Sequence, residues 1–147
     1  MNTYSIANSH NESNVVSGHT LINAADLAGR LLLAIIFLIA GVGKITAYAG
    51  TAAYMASMGV PGALLPLVIV TELVGGIAIV LGYHTRVVAF LLAGFTLLAG
   101  AIFHHDFANQ IQMLMFLKDL AIAGGFLLLI VNGAGAWSLD QRKRQKS

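Results

Sequence analysis

The chain has 147 residues, of which 58% are hydrophobic and 10% are charged, and its mean hydropathy is +0.83. Soluble domains average roughly 45–50% apolar and about 25% charged residues, so this composition excludes a chain that water surrounds throughout. The sequence contains no cysteine, which excludes disulfides, thiolate nucleophiles and Cys-ligated metal or iron–sulfur centres.

The formal net charge is +2, and the excess of positive charge lies at the very end of the chain. Its carriers are Arg142, Lys143, Arg144 and Lys146. A short terminal run of this kind is typical of membrane orientation or of contact with anionic lipids. We therefore predict no nucleic-acid partner.

Residues 1–22 are rich in Asn, Ser and His and carry neither Lys nor Arg. They show no helical or strand period and bury too little apolar surface to offset the entropy of ordering. The sequence therefore predicts a flexible polar tail, followed by a membrane domain over residues 23–133 and a basic tail over residues 134–147.

Four hydrophobic segments follow the polar tail, at about 24–45, 62–82, 85–104 and 110–131. Each is close to the roughly 20 residues that a membrane-spanning helix needs. The first has the apolar core and the small residues of a secretory signal, but the long preceding tail and the three further segments favour a retained span. The predicted fold class is all-α, a polytopic bundle of four transmembrane helices.

The connection between the first and second spans is long, whereas that between the second and third is very short. Residues 46–61 contain Tyr48, Tyr54 and Pro61, and they are compatible with an interfacial helix or with a plain loop. Between the second and third spans, only Tyr83 and His84 clearly interrupt the apolar run. A connection this short predicts an antiparallel helical hairpin.

An even number of spans places both termini on the same side of the membrane. Arg86 and the basic C-terminal residues share that side, whereas Lys44 lies opposite. The positive-inside rule therefore predicts that both termini are cytoplasmic.

Ionisable groups inside a span cost upward of about 2.5 kcal/mol, so each one requires a partner or a function. Glu72 lies near the middle of the second span, roughly 15 Å from either end. Long side chains at Arg30 and Lys118 extend towards it from the two sides, and Asp119 follows Lys118. We predict a polar cluster of Arg30, Glu72, Lys118 and Asp119, which is either structural or a substrate, quinone or proton site.

Four further residues are secondary candidates for this site: Lys44, Arg86, His104 and His105. The two adjacent histidines have the chemistry of metal binding or proton exchange. Adjacent side chains do not clamp one ion from opposite sides, and no complete ligand set converges in the sequence. We therefore predict no metal site.

Several segments together resemble the DoxX family of integral membrane proteins, in its YphA-like branch. They are "GRLLLAIIFLIAGVGKI", "YMASMGVP", "ELVGGIAIVLGYHTR", "FLKDLAIAGGFLLL" and "GAGAWSLDQR", which span about residues 27–140. The resemblance implies a four-helix protein of the bacterial inner membrane. Some family members are associated with quinone-linked oxidation of thiosulfate or with membrane redox complexes, but nothing in this sequence resembles an attached hydrophilic catalytic domain.

Two functions remain open. In the first, the protein is the quinone-binding membrane subunit of an oxidoreductase system, and a soluble partner delivers electrons. In the second, it is a non-catalytic membrane partner or a small-solute transporter whose polar cluster is structural. Neither reading requires an intrinsic cofactor, both place the chain in the lipid bilayer, and both are compatible with a homo-oligomer.

Overall fold

Four long apolar helices make up most of the structure, a computed structural model that describes residues 3–146, with side chains from residue 18. The long helices are α1 (Thr3–Thr46), α3 (Leu65–Leu81), α4 (Thr85–Phe103) and α5 (Gln110–Asn132). Within the described residues, the segments able to cross a membrane are Gly18–Thr46, Gly62–Leu81, Thr85–Phe103 and Gln110–Asn132. This confirms the predicted all-α architecture with four spans.

Helix α1 begins much earlier than the sequence predicts. Residues 3–22, for which we expect a flexible polar tail, continue the first span as helix back to Thr3. Once a span is helical, each added residue gains a backbone hydrogen bond without a new nucleation cost, so the helix extends into polar sequence. The tail prediction for residues 1 and 2, and for the side chains of residues 3–17, falls outside what the structure describes.

The segment between the first two spans is helical. Helix α2 covers Tyr48–Ser57 and is followed by a 3-10 turn at Gly62–Leu64. Gly59 has a φ of +78°, a left-handed conformation that glycine adopts without strain. Of the two alternatives for this segment, the helix is therefore the one that forms.

Helices α3 and α4 form the predicted hairpin. Gly82 ends α3 in the left-handed conformation, and the Tyr83 backbone N–H donates to the carbonyl of Ala78 at 3.0 Å. Helix α4 begins two residues later. We call the end of the bundle with this turn the turn end, and the end with α2 and the loop of residues 104–109 the loop end.

The helices pack in the order α1, α3, α4, α5 around the bundle. Helix α1 packs most extensively against α3, and α4 against α5. Gly41 of α1 faces Leu73, and Gly76 of α3 faces Leu38, so the two helices approach each other closely at two positions along their length. The core between the helices includes Phe37 and Phe126, whose ring centroids are 5.5 Å apart.

The C-terminal segment is not the simple basic tail that the sequence predicts. Ala134 and Ser138 are buried, and a short helix α6 follows at Leu139–Arg144. Asp140 donates its backbone N–H to the carbonyl of Gly82 at 2.9 Å. The segment folds back because exposed backbone groups at the α3–α4 turn provide hydrogen-bond partners that a free tail lacks.

Candidate functional site

A cavity of about 530 Å³ lies in the half of the bundle nearest the loop end. Its walls are largely apolar and come from α1, α2, α3, α4 and α5. Its ionisable lining residues come from α1, α3, α5 and the C-terminal end of α4, and they are Lys44, Glu72, His104, Lys118 and Asp119. The volume is within the range of about 300–1,000 Å³ that is typical of small-molecule sites.

Lys44 and Glu72 form an ion pair across the α1–α3 interface. The Lys44 Nζ atom lies 2.8 Å from Glu72 Oε1. Glu72 is only 5% exposed, and its second oxygen, Oε2, accepts no hydrogen bond from any described residue. A buried carboxylate oxygen without a donor is unfavourable, so it marks a position where a ligand with a donor group would be stabilised.

His104 and Asp119 form a second pair, which joins the end of α4 to the middle of α5. The distance from His104 Nδ1 to Asp119 Oδ2 is 2.8 Å. Because an ionised carboxylate only accepts hydrogen bonds, we assign the Nδ1 proton to His104, which leaves Nε2 free to accept or donate. Lys118 Nζ lies 3.9 Å from Asp119 Oδ1, too far for a hydrogen bond but close enough for charge attraction.

Helix α4 leaves room for the Asp119 carboxylate by having glycine at position 100. A Cβ atom at Gly100 would lie 2.9 Å from Asp119 Oδ2. Any larger residue would therefore displace the carboxylate from its position beside His104.

Arg30, which the sequence places in the same cluster, does not meet Glu72. Its guanidinium lies at the turn end and donates to the carbonyls of Val80 at 3.0 Å and Trp137 at 2.6 Å. The carbonyls at the end of α3 lack partners within the helix and carry the negative end of its dipole, so they attract the cation. Arg30 and Lys44 are 14 residues apart on α1, about 21 Å along the axis.

Two of the secondary candidates also lie away from the cavity. Arg86 lies at the turn end and donates to the carbonyl of Val131 at 3.1 Å. His105 is exposed, and its Nδ1 lies 2.9 Å from the carbonyl of Ile102. Of the eight candidates, the cavity thus brings together Glu72, Lys118, Asp119, Lys44 and His104.

Sequence reasoning missed the pairing within this set. It assigned Arg30 and Lys118 to Glu72, whereas Lys44 is the cation that reaches it. It also left His104 without a partner. A signal was present, because a carboxylate inside a span requires a polar neighbour and His104 ends the adjacent helix.

Comparison with known proteins agrees with this architecture. The family model described as DoxX matches residues 25–105. The chain is 53% identical to the inner membrane protein YqjF of Escherichia coli (strain K12) over 120 residues, 82% of this chain and 92% of the relative. It is 42% identical to the inner membrane protein YphA of the same organism over 123 residues, 79% of this chain and 88% of the relative.

No solved structure matches the chain. The matched family region contains Lys44, Glu72 and His104, so it includes most of the polar groups around the cavity. With its four apolar helices and its similarity to two inner membrane proteins, the chain is a multi-pass inner-membrane protein that belongs to the DoxX family.

Proposed function

We propose that the protein binds a quinone in the loop-end cavity, as the membrane subunit of a redox system whose soluble partner supplies electrons. The observation that carries this proposal is an apolar cavity ending in two charge pairs, one of which has a buried carboxylate oxygen without a donor. Quinones combine an apolar ring with polar oxygens, so they complement such a cavity.

The Lys44–Glu72 pair provides both a donor and an acceptor for the polar oxygens of the ligand. One N–H of the Lys44 ammonium is committed to Glu72 Oε1, and an ammonium has three donors, so two remain for a ligand carbonyl. Glu72 Oε2 accepts a hydrogen bond from a ligand hydroxyl. The pair therefore suits both a quinone and its quinol.

The His104–Asp119 pair suits proton exchange. Asp119 orients the ring by accepting from Nδ1, which leaves Nε2 available for proton transfer with a ligand or with water. The His104 side chain is 27% exposed, which gives the pair contact with the loop end as well as with the cavity. Protons thus have a route between the bulk phase and the cavity.

In this proposal a soluble partner supplies the electrons, since a chain without cysteine forms neither a redox-active thiol nor a Cys-ligated iron–sulfur centre of its own. A bound quinone supplies the redox chemistry, since its conversion to quinol takes up two electrons and two protons. The residues of the cavity bind the ring oxygens and move the protons.

The alternative is a non-catalytic membrane partner or small-solute transporter with structural polar pairs. The environment of Arg30 favours such a structural role at the turn end, because its bonds go to backbone carbonyls rather than to the cavity. For Glu72 the unpaired Oε2 favours a ligand instead.

The test is quantitative extraction of quinone from protein purified in native-membrane nanodiscs, followed by mass spectrometry. We expect near-stoichiometric quinone in the natural protein and at least a tenfold loss in Glu72→Gln. Arg86→Gln, a change at the turn end, is the matched control and retains the quinone. Equal, background amounts in all three proteins would refute the proposal.

A further inference from the structure

The loop-end cavity continues to the lipid-facing surface between α3 and α4. Leu67 on α3 and Leu98 on α4 both line the cavity, yet they are 63% and 62% exposed. A side chain that is both cavity wall and outer surface marks an opening. Because both residues lie within spans, the opening faces hydrocarbon rather than water.

Two apolar stripes form the sides of this opening. On one side the cavity-lining residues are Leu64 at the end of the 3-10 turn and Leu67 and Thr71 on α3, and they recur at helical spacing. On the other side, Phe95, Leu98 and Ile102 of α4 do the same. Thr71 adds little polarity, because its hydroxyl donates to the carbonyl of Leu67 within the same helix at 2.9 Å. The opening is therefore apolar along its length.

The opening follows from how α3 and α4 pack. Near the turn end the helices approach closely, and a Cβ atom on Gly75 would lie 2.8 Å from Leu92. Towards the loop end, Val68 and Thr96 line the cavity that lies between the same helices. Helices α3 and α4 accordingly pack against each other less extensively than α1 and α3 or α4 and α5.

At the loop end, the cavity is bounded by helix α2 and by charged side chains, unlike the apolar opening between α3 and α4. Helix α2 covers it there, with Met55 buried and the ring of Tyr54 stacked on that of Phe103 at 5.6 Å. The partly exposed ionisable groups near this end include the cations Lys44 and Lys118, whose side chains are 27% and 44% exposed, and His104, at 27%. Such a boundary suits protons and water, not a hydrocarbon chain.

We infer that the ligand is a long-tailed quinone that enters from the bilayer between α3 and α4, with its ring at the charge pairs and its tail between Leu67 and Leu98. This inference rests on the proposed function and adds the class of substrate and its route. A water-soluble solute does not partition into hydrocarbon, so it would not enter its site through an apolar opening to lipid. A long hydrocarbon tail fits that opening, because it packs against the apolar wall by van der Waals contact as lipid chains do.

The experiment compares two quinones with the same ring, one carrying a long prenyl tail and one without a tail, for binding to purified protein in nanodiscs. Leu67→Trp and Leu98→Trp narrow the opening, and Leu128→Trp on the lipid-facing side of α5 is the matched control. We expect the two narrowing variants to lose at least tenfold in affinity for the tailed quinone. They keep the affinity for the tailless one, which also shows that they are folded.

Three other outcomes of this binding experiment would contradict either the inference or the proposed function. If the natural protein binds both quinones and the narrowing variants bind the tailed form as well as it does, the lateral route is wrong and the proposed function stands. If the natural protein binds neither quinone, the proposed function fails, and the inference with it. If an alkane of matching length without a ring competes as well as the tailed quinone, the opening is a general lipid contact and the inference is overturned.

Discussion

The two carboxylates buried in the loop-end half of the bundle, Glu72 and Asp119, each have a partner that lies nearer the loop end. Glu72 takes its cation from the end of α1 and Asp119 its partner from the end of α4. In both cases a polar group close to the loop end reaches inward to a carboxylate deeper in the bundle. This arrangement limits how much charge must be desolvated, because one member of each pair stays partly exposed.

The Lys44–Glu72 pair predicts a measurable coupling energy. Lys44→Met leaves a buried carboxylate without its cation, and Glu72→Gln leaves the cation without its counter-charge, so each single change lowers thermal stability in detergent. The double variant recovers part of the loss, because both charges are gone. We expect a coupling of about 0.5–3 kcal/mol from a double-mutant cycle, and strictly additive losses would show that the pair does not form.

Asp140 predicts a pH-dependent contribution to stability at the turn end. Its carboxylate accepts the backbone N–H groups of His84 and Thr85, each at 2.8 Å, at the start of α4. Burial opposes ionisation of Asp140, but these hydrogen bonds outweigh it and hold its pKa below the usual value. A lowered pKa stabilises the fold above the pKa of the unfolded chain, and this is lost as pH falls through the folded value.

The corresponding variant is Asp140→Ala, for which we expect a loss of about 0.5–2 kcal/mol at pH 7, as for other helix caps. The difference from the natural protein should persist down to about pH 5 and shrink below about pH 4. Asp106→Ala is the control, since that exposed carboxylate accepts from Ala108 within its own loop. A deficit that grows on acidification would contradict this account.

At the scale of the helices, glycine positions decide which side chains fit between neighbours. We expect Gly100→Ala to displace Asp119 and to cost about 1–3 kcal/mol, as overpacked sites do. Gly94→Ala, in the same helix, meets nothing within 4 Å and should be neutral or slightly stabilising. Thermal unfolding of both variants tests this prediction. Equal stability of the two variants would show that Asp119 does not require glycine at position 100.

The spans were predictable because a bilayer demands long apolar helices and leaves few alternatives. The sequence predicts α4 over about 85–104 and α5 over about 110–131, and the structure has them at Thr85–Phe103 and Gln110–Asn132. The tight hairpin was equally clear, because only Tyr83 and His84 interrupt the apolar run between the two spans.

The polar ends of the chain were less predictable, because hydropathy says little about them. Residues 3–22 gave no periodic signal, yet they continue α1. The fold-back of residues 134–144 depends on contacts distant in sequence, such as Ser138 beside Gly82 and Asp140 beside Thr85. No local pattern contains such contacts.

For the candidate site, sequence reasoning identified the residue types but not all the partners. Glu72, Lys118 and Asp119 were singled out because ionisable residues inside a predicted span are unfavourable, and all three line the cavity. Arg30 has the same chemistry but faces the end of α3. The direction in which a long side chain leaves its helix depends on the rotation of that helix against its neighbours, which spacing alone does not fix.

At the scale of the whole molecule, the predicted orientation has a direct test because the chain has no native cysteine. Ala108→Cys lies in the exposed α4–α5 loop, and Gln145→Cys lies in the basic C-terminal segment. We expect a membrane-impermeant maleimide to label Ala108→Cys in spheroplasts, and Gln145→Cys only after the membrane is opened. Labelling of both from outside would contradict cytoplasmic termini.

The two ends of the bundle differ in the contacts that hold the helices together. At the turn end, Arg30, Asp140 and the C-terminal segment join the helices through backbone groups. At the loop end, paired side chains surround a cavity. These backbone contacts would keep the helices in register during the proposed ligand exchange at the loop end.

Photoaffinity labelling with an azidoquinone, followed by peptide mapping, reports where a quinone ring resides in the protein. We predict covalent label on cavity-lining positions within residues 64–72 and 95–104, and loss of that label in Glu72→Gln. Label spread evenly over lipid-facing positions, or concentrated on residues 134–144 at the turn end, would contradict a quinone site in the loop-end cavity.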